Sequence, residues 1–410
     1  MENFLTKIDG GVTAAQGFEA AGIYAGIKKK RNDMALVYTK TPATVAGTFT
    51  TNIVKAAPVL WDMQLIKENE WVHGIVLNSG VANACTGEIG VEYNKRMAEA
   101  MAEALGVKPE HILTASTGVI GRQLPIEVVE KGTKLLAKEK TDTIEAGTLA
   151  AEAIMTTDTY KKEIAVSFEI DGKKVVVGGM SKGSGMIHPN MATMLGVVTT
   201  DIAISKDLLQ AALSSVVVDT FNMISVDRDT STNDSLVCMA NGLAGNSVIS
   251  SKDENYIKFY TALKEVTTFL AKEMAADGEG ASKLIETTVI HAATKEQARS
   301  LAKSVITSNL VKSAVFGNDA NWGRILCAMG YAGVPFDPYQ VDVTVSSSEG
   351  NLKLVEDGMA TEYSEEIATK ILSGKVVTIL CDVKAGVETA TAWGCDLTYD
   401  YVKINADYRS

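Results

Sequence analysis

Thr193 is the residue with the most chemistry open to it. It stands where a glycine-rich loop, Lys182-Gly-Ser-Gly-Met-Ile-His-Pro-Asn190, passes through Met191-Ala192 into an apolar run, Met194-Leu-Gly-Val-Val198. Glycines and a proline make the first half a loop, and the apolar run predicts a buried strand. A threonine at that junction is held by a core strand and still reached from a loop. Were the chain cut before it, Thr193 would carry a hydroxyl and a free α-amine with a reference pKa of about 7.7–8.0. Much of that amine is neutral at cellular pH and can act as the hydroxyl's own base, an alternative to the Ser-His-Asp arrangement. Equally, a β-branched residue entering a strand needs no chemistry to explain it.

Three other places compete for a role. Gly179-Met-Ser-Lys-Gly183 matches G-x-S-x-G, the strand-to-helix elbow of serine hydrolases, which makes Ser181 the rival nucleophile. An elbow needs a helix at once, and Gly183, Gly185 and Pro189 forbid one. Its partner order also asks for a later acid and then a histidine, which leaves only His188 or His291. His188 reads as a loop hydrogen-bonder rather than a base. Thr117-Gly118 follows an apolar strand, and a hydroxyl beside a glycine amide can aim two donors at one oxyanion. Removing one such donor costs about 2.7–4 kcal/mol of barrier; a plain turn would use the same glycine. Lys182 and Glu279 offer complementary charges, for a carboxylate and an amine, inside glycine-rich segments that permit close approach. Each alone is an ordinary solvated charge. Asn318 or Asp319 suits the N-cap of a helix over 320–331.

Gly183-Ser-Gly-Met-Ile-His-Pro-Asn-Met-Ala-Thr-Met-Leu195 resembles the self-cleavage segment of the ArgJ family, the glutamate N-acetyltransferases (ornithine acetyltransferases) of arginine biosynthesis. Ser116-Thr-Gly118, Gly278-Glu-Gly280 and Gly317-Asn-Asp-Ala-Asn-Trp-Gly-Arg324 keep the family's order along the chain. The resemblance runs from about residue 10 to the C-terminus. It implies a precursor that cuts itself between Ala192 and Thr193, giving an α chain 1–192 and a β chain 193–410. Thr193 would then carry acetyl from N-acetyl-L-ornithine to L-glutamate in a ping-pong cycle, with Thr117 and Gly118 as the oxyanion hole. Thr156 (or its neighbour Thr157), Lys182, Thr193, Glu279, Asn405 and Ser410 would contact the substrate. No metal or cofactor is implied, although some family members also draw acetyl from acetyl-CoA. The implied assembly is a heterotetramer of two α and two β chains. The alternatives are a self-cleaving aminopeptidase of related fold, a serine hydrolase through Ser181, and a binding protein that keeps the shape without the cut.

The elements that must position these residues follow from composition and pattern. The chain has 410 residues, 46% hydrophobic and 22% charged, which is a globular composition. A net charge of −11 argues against a phosphate-backbone partner, so nucleic acid is not expected. Met1-Glu-Asn-Phe-Leu5 lacks a secretory pattern, and no apolar stretch approaches the roughly 20 residues of a spanning helix, so no membrane partner is expected. Five scattered cysteines without a C-x-x-C pair suit a reducing cytoplasm, and no two histidines are spaced as metal ligands. Strands are expected over 34–39, 46–50, 71–77 and 112–115, with a hairpin 163–170/173–177 across Asp171-Gly172. Helices are expected over 93–105, 126–139, 144–155, 206–217, 256–275 and 295–308, and further strands over 341–345 and 376–381. The expected class is α/β (α+β): mixed sheets layered with helices, a self-processed N-terminal-nucleophile-like fold of the ArgJ/DmpA type by resemblance, cut once in the middle rather than divided by a linker.

Overall fold

The computed structural model describes residues 4–188 and 194–407; Ala192, Thr193 and Ser410 lie outside the described residues. It resolves into two compact units. The first comprises Met1–Gly183, Asn190–Val218 and Thr230–Leu270; the second comprises Ser184–Pro189, Asp219–Asp229 and Ala271–Ser410.

Among the described residues the first unit carries nine strands in one sheet: β1 (Thr6–Ile8), β2 (Phe18–Ile23), β3 (Met34–Phe49), β4 (Trp71–Val81), β5 (Ile112–Val119), β6 (Lys162–Ile170), β7 (Lys173–Lys182), β8 (Leu195–Thr200) and β10 (Ser235–Ala240), with β9 (Ile224–Ser225) belonging to the second unit. The order is β1-β6-β7-β8-β10-β3-β4-β5, and β2 pairs with β3 off this path. Helices α1 (Ala57–Glu68), α2 (Gly87–Leu105), α3 (Ile126–Glu139), α4 (Ile144–Ala153), α5 (Lys206–Asp219) and α6 (Glu254–Ala276) follow in chain order. Alternate residues of β3 enter different cores. Ala35 and Val37 join Ile75, Leu77, Leu113 and residues of α1 and α4, whereas Met34, Leu36 and Tyr38 join Val76, Met97 and Met101 of α2, and Val129 and Leu136 of α3. The period of two along a strand buried on both faces therefore divides its side chains between two clusters.

Several sequence expectations hold as written. The β6–β7 hairpin turns at Asp171 and Gly172 with φ of 52° and 69°, the left-handed pair that a two-residue hairpin favours. Helix α2 stops at Gly106, φ 70°. The strand expected after Thr193 is β8, and it is interior: it lies antiparallel to β7 (Lys182↔Leu195) and parallel to β10 (Leu195↔Ser235). One expectation needs correcting. The strands foreseen over 34–39 and 46–50 are the single β3. Its first half pairs with β2 and β4 and its second with β10, and its register against β4 shifts between Tyr38 and Ala43. Pro42 falls in that irregular stretch, where a missing N–H breaks no ladder bond.

The second unit is a sheet of seven strands among the described residues, ordered β14-β13-β12-β15-β11-β16-β9. Its further members are β11 (Leu284–Ala292), β12 (Asp342–Ser347), β13 (Gly350–Glu356), β14 (Met359–Ala360), β15 (Val376–Asp382) and β16 (Glu388–Cys395). Helices α7 (Lys295–Thr307), α8 (Asn309–Phe316), α9 (Trp322–Gly330), α10 (Glu365–Leu372) and α11 (Tyr399–Asp407) complete it. Here too a correction is due. The N-cap of α9 is Asn321, whose side chain accepts the Arg324 N–H at 3.3 Å, not Asn318 or Asp319. Asn318 instead has a left-handed backbone (φ 57°) in the turn that ends α8, and its side chain bonds the Lys283 ammonium. No helix among the described residues is long and apolar enough to cross a membrane.

Candidate functional site

In the first unit, β4 and β5 run parallel and end side by side, with Ser79 opposite Thr117 and Gly80 opposite Gly118. Gly118 has φ +127°, and a Cβ there would lie 2.3 Å from the Gly80 carbonyl carbon. Only glycine fits. The neighbouring backbone is pinned: Ser116 Oγ donates to Asn78 Oδ1 at 2.6 Å, and Asn233 Nδ2 donates to the Ser116 carbonyl at 2.8 Å. Lys182, the last residue of β7 and nearly buried, donates Nζ to Thr117 Oγ1 at 3.3 Å. The structure thus brings Thr117, Gly118 and Lys182 together.

Thr156 belongs to the same neighbourhood through Asp158. Asp158 Oδ2 accepts the Thr156 N–H at 2.9 Å, while Oδ1 accepts the Gly183 N–H at 2.7 Å and Lys162 Nζ at 2.9 Å. Burial works to raise the Asp158 pKa, but Lys182, Lys162 and the hydrogen bonds overcome it and hold the carboxyl at about 2. Lys28 Nζ donates to the Met155 carbonyl at 2.9 Å; burial draws its pKa down to about 8, with Asp33 opposing and Arg31 and Lys182 adding. Beside the junction, the Met194 N–H bonds the carboxyl of buried Asp234, and the Ser235 N–H returns to the Met194 carbonyl at 2.9 Å. Burial pushes the Asp234 pKa well above the carboxylate range against bonds from Ser231, Met194 and Thr50.

Ser181 is poorly placed for attack. It is 1% exposed, sits within the β7 ladder between Lys162 and Gly196, and is followed by no helix over 183–188. The nucleophile elbow suggested by G-x-S-x-G is therefore not formed.

In the second unit, Glu279 is nearly buried and its N–H donates to the Ser184 carbonyl at 2.9 Å. A Cβ at Gly185 would meet the Glu279 carboxyl carbon and both oxygens at 2.3 Å, so the carboxylate lies directly on the loop backbone. Asn405, in α11, donates Nδ2 to Glu279 Oε2 at 2.8 Å, joining two of the predicted residues. Gly280 (φ +68°) admits the chain at Tyr401, where a Cβ would lie 2.5 Å from the main-chain nitrogen. Asp227 accepts the N–H groups of Met186 at 2.7 Å and Ile187 at 2.9 Å, and its Oδ2 lies 3.3 Å from the Tyr401 hydroxyl. His188 Nδ1 lies 3.0 Å from Ser225 Oγ, and burial, with Lys303 and Arg228, lowers its pKa to about 4. It is neutral at pH 7 and behaves as the hydrogen-bonder expected.

The carboxylates Asp158, Asp227 and Asp234, and Asn233, escaped the sequence reading. Asp158 is the last residue of Met155-Thr-Thr-Asp158, and the other three lie in the polar run Asp227–Asp234, a density of acids and amides whose signal was polarity without a partner.

The ArgJ family pattern matches residues 19–410. The arginine biosynthesis bifunctional protein ArgJ of Caldanaerobacter subterraneus subsp. tengcongensis is 49% identical over 403 residues, covering 98% of this chain and 99% of that protein. ArgJ 1 of Clostridium acetobutylicum is 51% identical over 404 residues, covering 97% of each. Among solved structures, ArgJ of Bacillus halodurans is 41% identical over 46% of this chain and 98% of its own, with a TM-score of 0.45. Ornithine acetyltransferase of Mycobacterium tuberculosis, solved with ornithine, is 40% identical over 46% of this chain and all of its own, with a TM-score of 0.43.

Proposed function

Because the chain belongs to the ArgJ family, we propose that it is a self-cleaving N-acetyltransferase moving acetyl from N-acetyl-L-ornithine to L-glutamate. In the precursor the Thr193 hydroxyl attacks the Ala192 carbonyl, the Ala192–Thr193 C–N bond breaks as the ester forms, and water opens that ester. The freed amine of Thr193 then takes the hydroxyl proton while the oxygen attacks the acetyl carbonyl of acetylornithine. Ornithine leaves with that proton, acetyl-Thr193 remains, and the glutamate amine collects the acetyl group.

The observation that carries this reading is Lys182 Nζ at 3.3 Å from Thr117 Oγ1, beside a Gly118 whose backbone admits no side chain. A cation for a substrate carboxylate, next to a hydroxyl and an amide that can hold an oxyanion, supports an acyl transfer on an amino acid. Glu279 with Asn405 supports a second polar contact, for an amine. Thr156 and Ser410 complete the assigned set. The chemistry asks for no metal or organic cofactor. The products are two chains, 1–192 and 193–410, assembled as two α and two β in the cytoplasm.

The test is a denaturing gel followed by a labelling experiment. Scaling 43.6 kDa by chain length, self-cleavage gives two bands of roughly 20 and 23 kDa. Radiolabelled N-acetylornithine should leave acetyl on Thr193, to be chased off by glutamate. A single full-length band together with label on another residue would overturn the reading, and label lost to water as fast as to glutamate would favour a hydrolase.

A further inference from the structure

The turn after α4 and the end of β7 are remote in sequence, yet both are held by one carboxylate. Asp158 accepts main-chain N–H groups from Thr156 at 2.9 Å and Gly183 at 2.7 Å, and the Lys162 ammonium at 2.9 Å. The Asp158 and Lys162 side chains are both 0% exposed. A buried ion pair is an uneconomical way to stabilise a fold, because desolvating two charges offsets most of their attraction and an apolar pair of similar volume does as well. What an apolar pair cannot do is accept two main-chain N–H groups through short, charge-assisted bonds. Gly183 follows Lys182 directly, and Lys182 Nζ reaches Thr117 Oγ1 beside Gly118. A line of contacts therefore runs from the Thr156 turn, through Asp158 and Gly183, to Lys182 and Thr117.

We infer that Asp158 is the positioning residue of the acetyl-transfer site, setting Thr156 and Lys182 in register with each other and with Thr117. The inference rests on the reading of Thr156 and Lys182 as substrate contacts. Asp158 touches no reacting atom in this scheme; Lys182 and Lys162 supply the counter-charges that keep it ionised despite its burial.

The experiment compares Asp158→Asn, Lys162→Met, the double variant and Lys182→Met, each followed by urea unfolding and by steady-state kinetics with N-acetylornithine and glutamate. Asp158→Asn should raise the KM for acetylornithine about tenfold or more, with a smaller fall in kcat, since charged hydrogen bonds are lost from the positioning of a binding group. It should also lower the urea midpoint, because Lys162 then stays buried opposite a neutral amide. Lys162→Met should lower the midpoint and leave KM near wild type. In the double variant neither member of the Asp158–Lys162 pair is charged, so most of the midpoint should return while KM stays high. Recovery of KM together with the midpoint would make the pair a fold element and overturn the inference, as would a wild-type KM in Asp158→Asn. If Asp158→Asn does not fold, the double variant carries the comparison by itself. Lys182→Met separates the two levels. A raised KM there, beside an unchanged one in Asp158→Asn, sinks the inference alone, whereas an unchanged KM in Lys182→Met sinks the site reading and the inference with it.

Discussion

Replacing Gly118 by alanine tests the proposed oxyanion hole at the point where the backbone leaves least room. The new Cβ would lie 2.3 Å from the Gly80 carbonyl carbon and 2.6 Å from its oxygen. Non-bonded carbons rest about 3.5–4.0 Å apart, so β4 and β5 must separate locally by roughly 1 Å. A donor displaced that far turns a bond of about 2.9 Å into a gap of about 3.9 Å, which is no hydrogen bond. Losing one oxyanion donor costs about 2.7–4 kcal/mol of barrier, or 10²–10³ in kcat. The φ of +127° adds strain on the order of 1–3 kcal/mol to the folded state, which a domain stable by about 5–15 kcal/mol survives. The same hole would serve self-cleavage, so the assay uses chains 1–192 and 193–410 expressed as a pair, with Thr193 freed of its initiator methionine. The expected result is a kcat down by roughly two orders of magnitude with KM for acetylornithine nearly unchanged, because ground-state binding is assigned to Lys182 and Glu279. A kcat within about threefold of wild type, in a protein with a normal urea midpoint, would refute the oxyanion-hole assignment.

Thr193→Ala should give one uncut, inactive chain, while Thr193→Ser, which keeps the hydroxyl, should give two bands and slow transfer; transfer by the alanine variant would place the chemistry elsewhere. Gly185→Ala should push the Glu279 carboxylate off the loop, where a Cβ would meet it at 2.3 Å, and raise KM for acetylornithine roughly tenfold at little cost in stability; an unchanged KM removes Glu279 from the site. Asp62, buried in α1, accepts the Thr114 N–H at 2.8 Å, and burial outweighs that bond to raise its pKa well above the carboxylate range. Its proton is held more tightly when folded, so its stabilising effect is complete below the unfolded pKa of about 3.9 and is lost as pH rises through the folded value. Urea titrations of wild type should therefore lose stability relative to Asp62→Asn as pH rises above about 4, and parallel curves would show that Asp62 is not the group responsible.

Much of the fold is written in local pattern. The Asp171-Gly172 turn, the stop at Gly106 and the apolar run after Thr193 each impose a backbone geometry that neighbours alone decide. What was missed depends on distant partners. Helix α1 shows little amphipathic contrast because Asp62 sits among its buried residues, and its carboxylate makes sense only once Thr114 is beside it. β3 reads as two strands because its partners change along its length. For the candidate site, Thr117, Gly118 and Lys182 were singled out by their glycine-bearing motifs and given roles only by the family resemblance; the structure adds the contact between Lys182 and Thr117. Asp158 and Asp227 were not, since their role is to accept N–H groups from residues 25 and 40–41 positions away, and an aspartate's sequence surroundings do not record who donates to it.

The interior place of β8 also sets the molecularity of folding. In the precursor, the ladders from β7 to β8 and from β3 to β10 close within one chain; after the proposed cut, the same ladders join two polypeptides. Nothing in the sheet need change at that moment, but unfolding acquires a new consequence. Denatured precursor refolds by a first-order process, whereas denatured mature enzyme becomes two diffusing chains that must meet, each with an unpaired strand edge open to aggregation. The mature protein is then protected by the height of its unfolding barrier more than by an equilibrium it can revisit. Its survival on heating becomes a matter of half-life and of dilution, while an uncut Thr193→Ala chain keeps the route home.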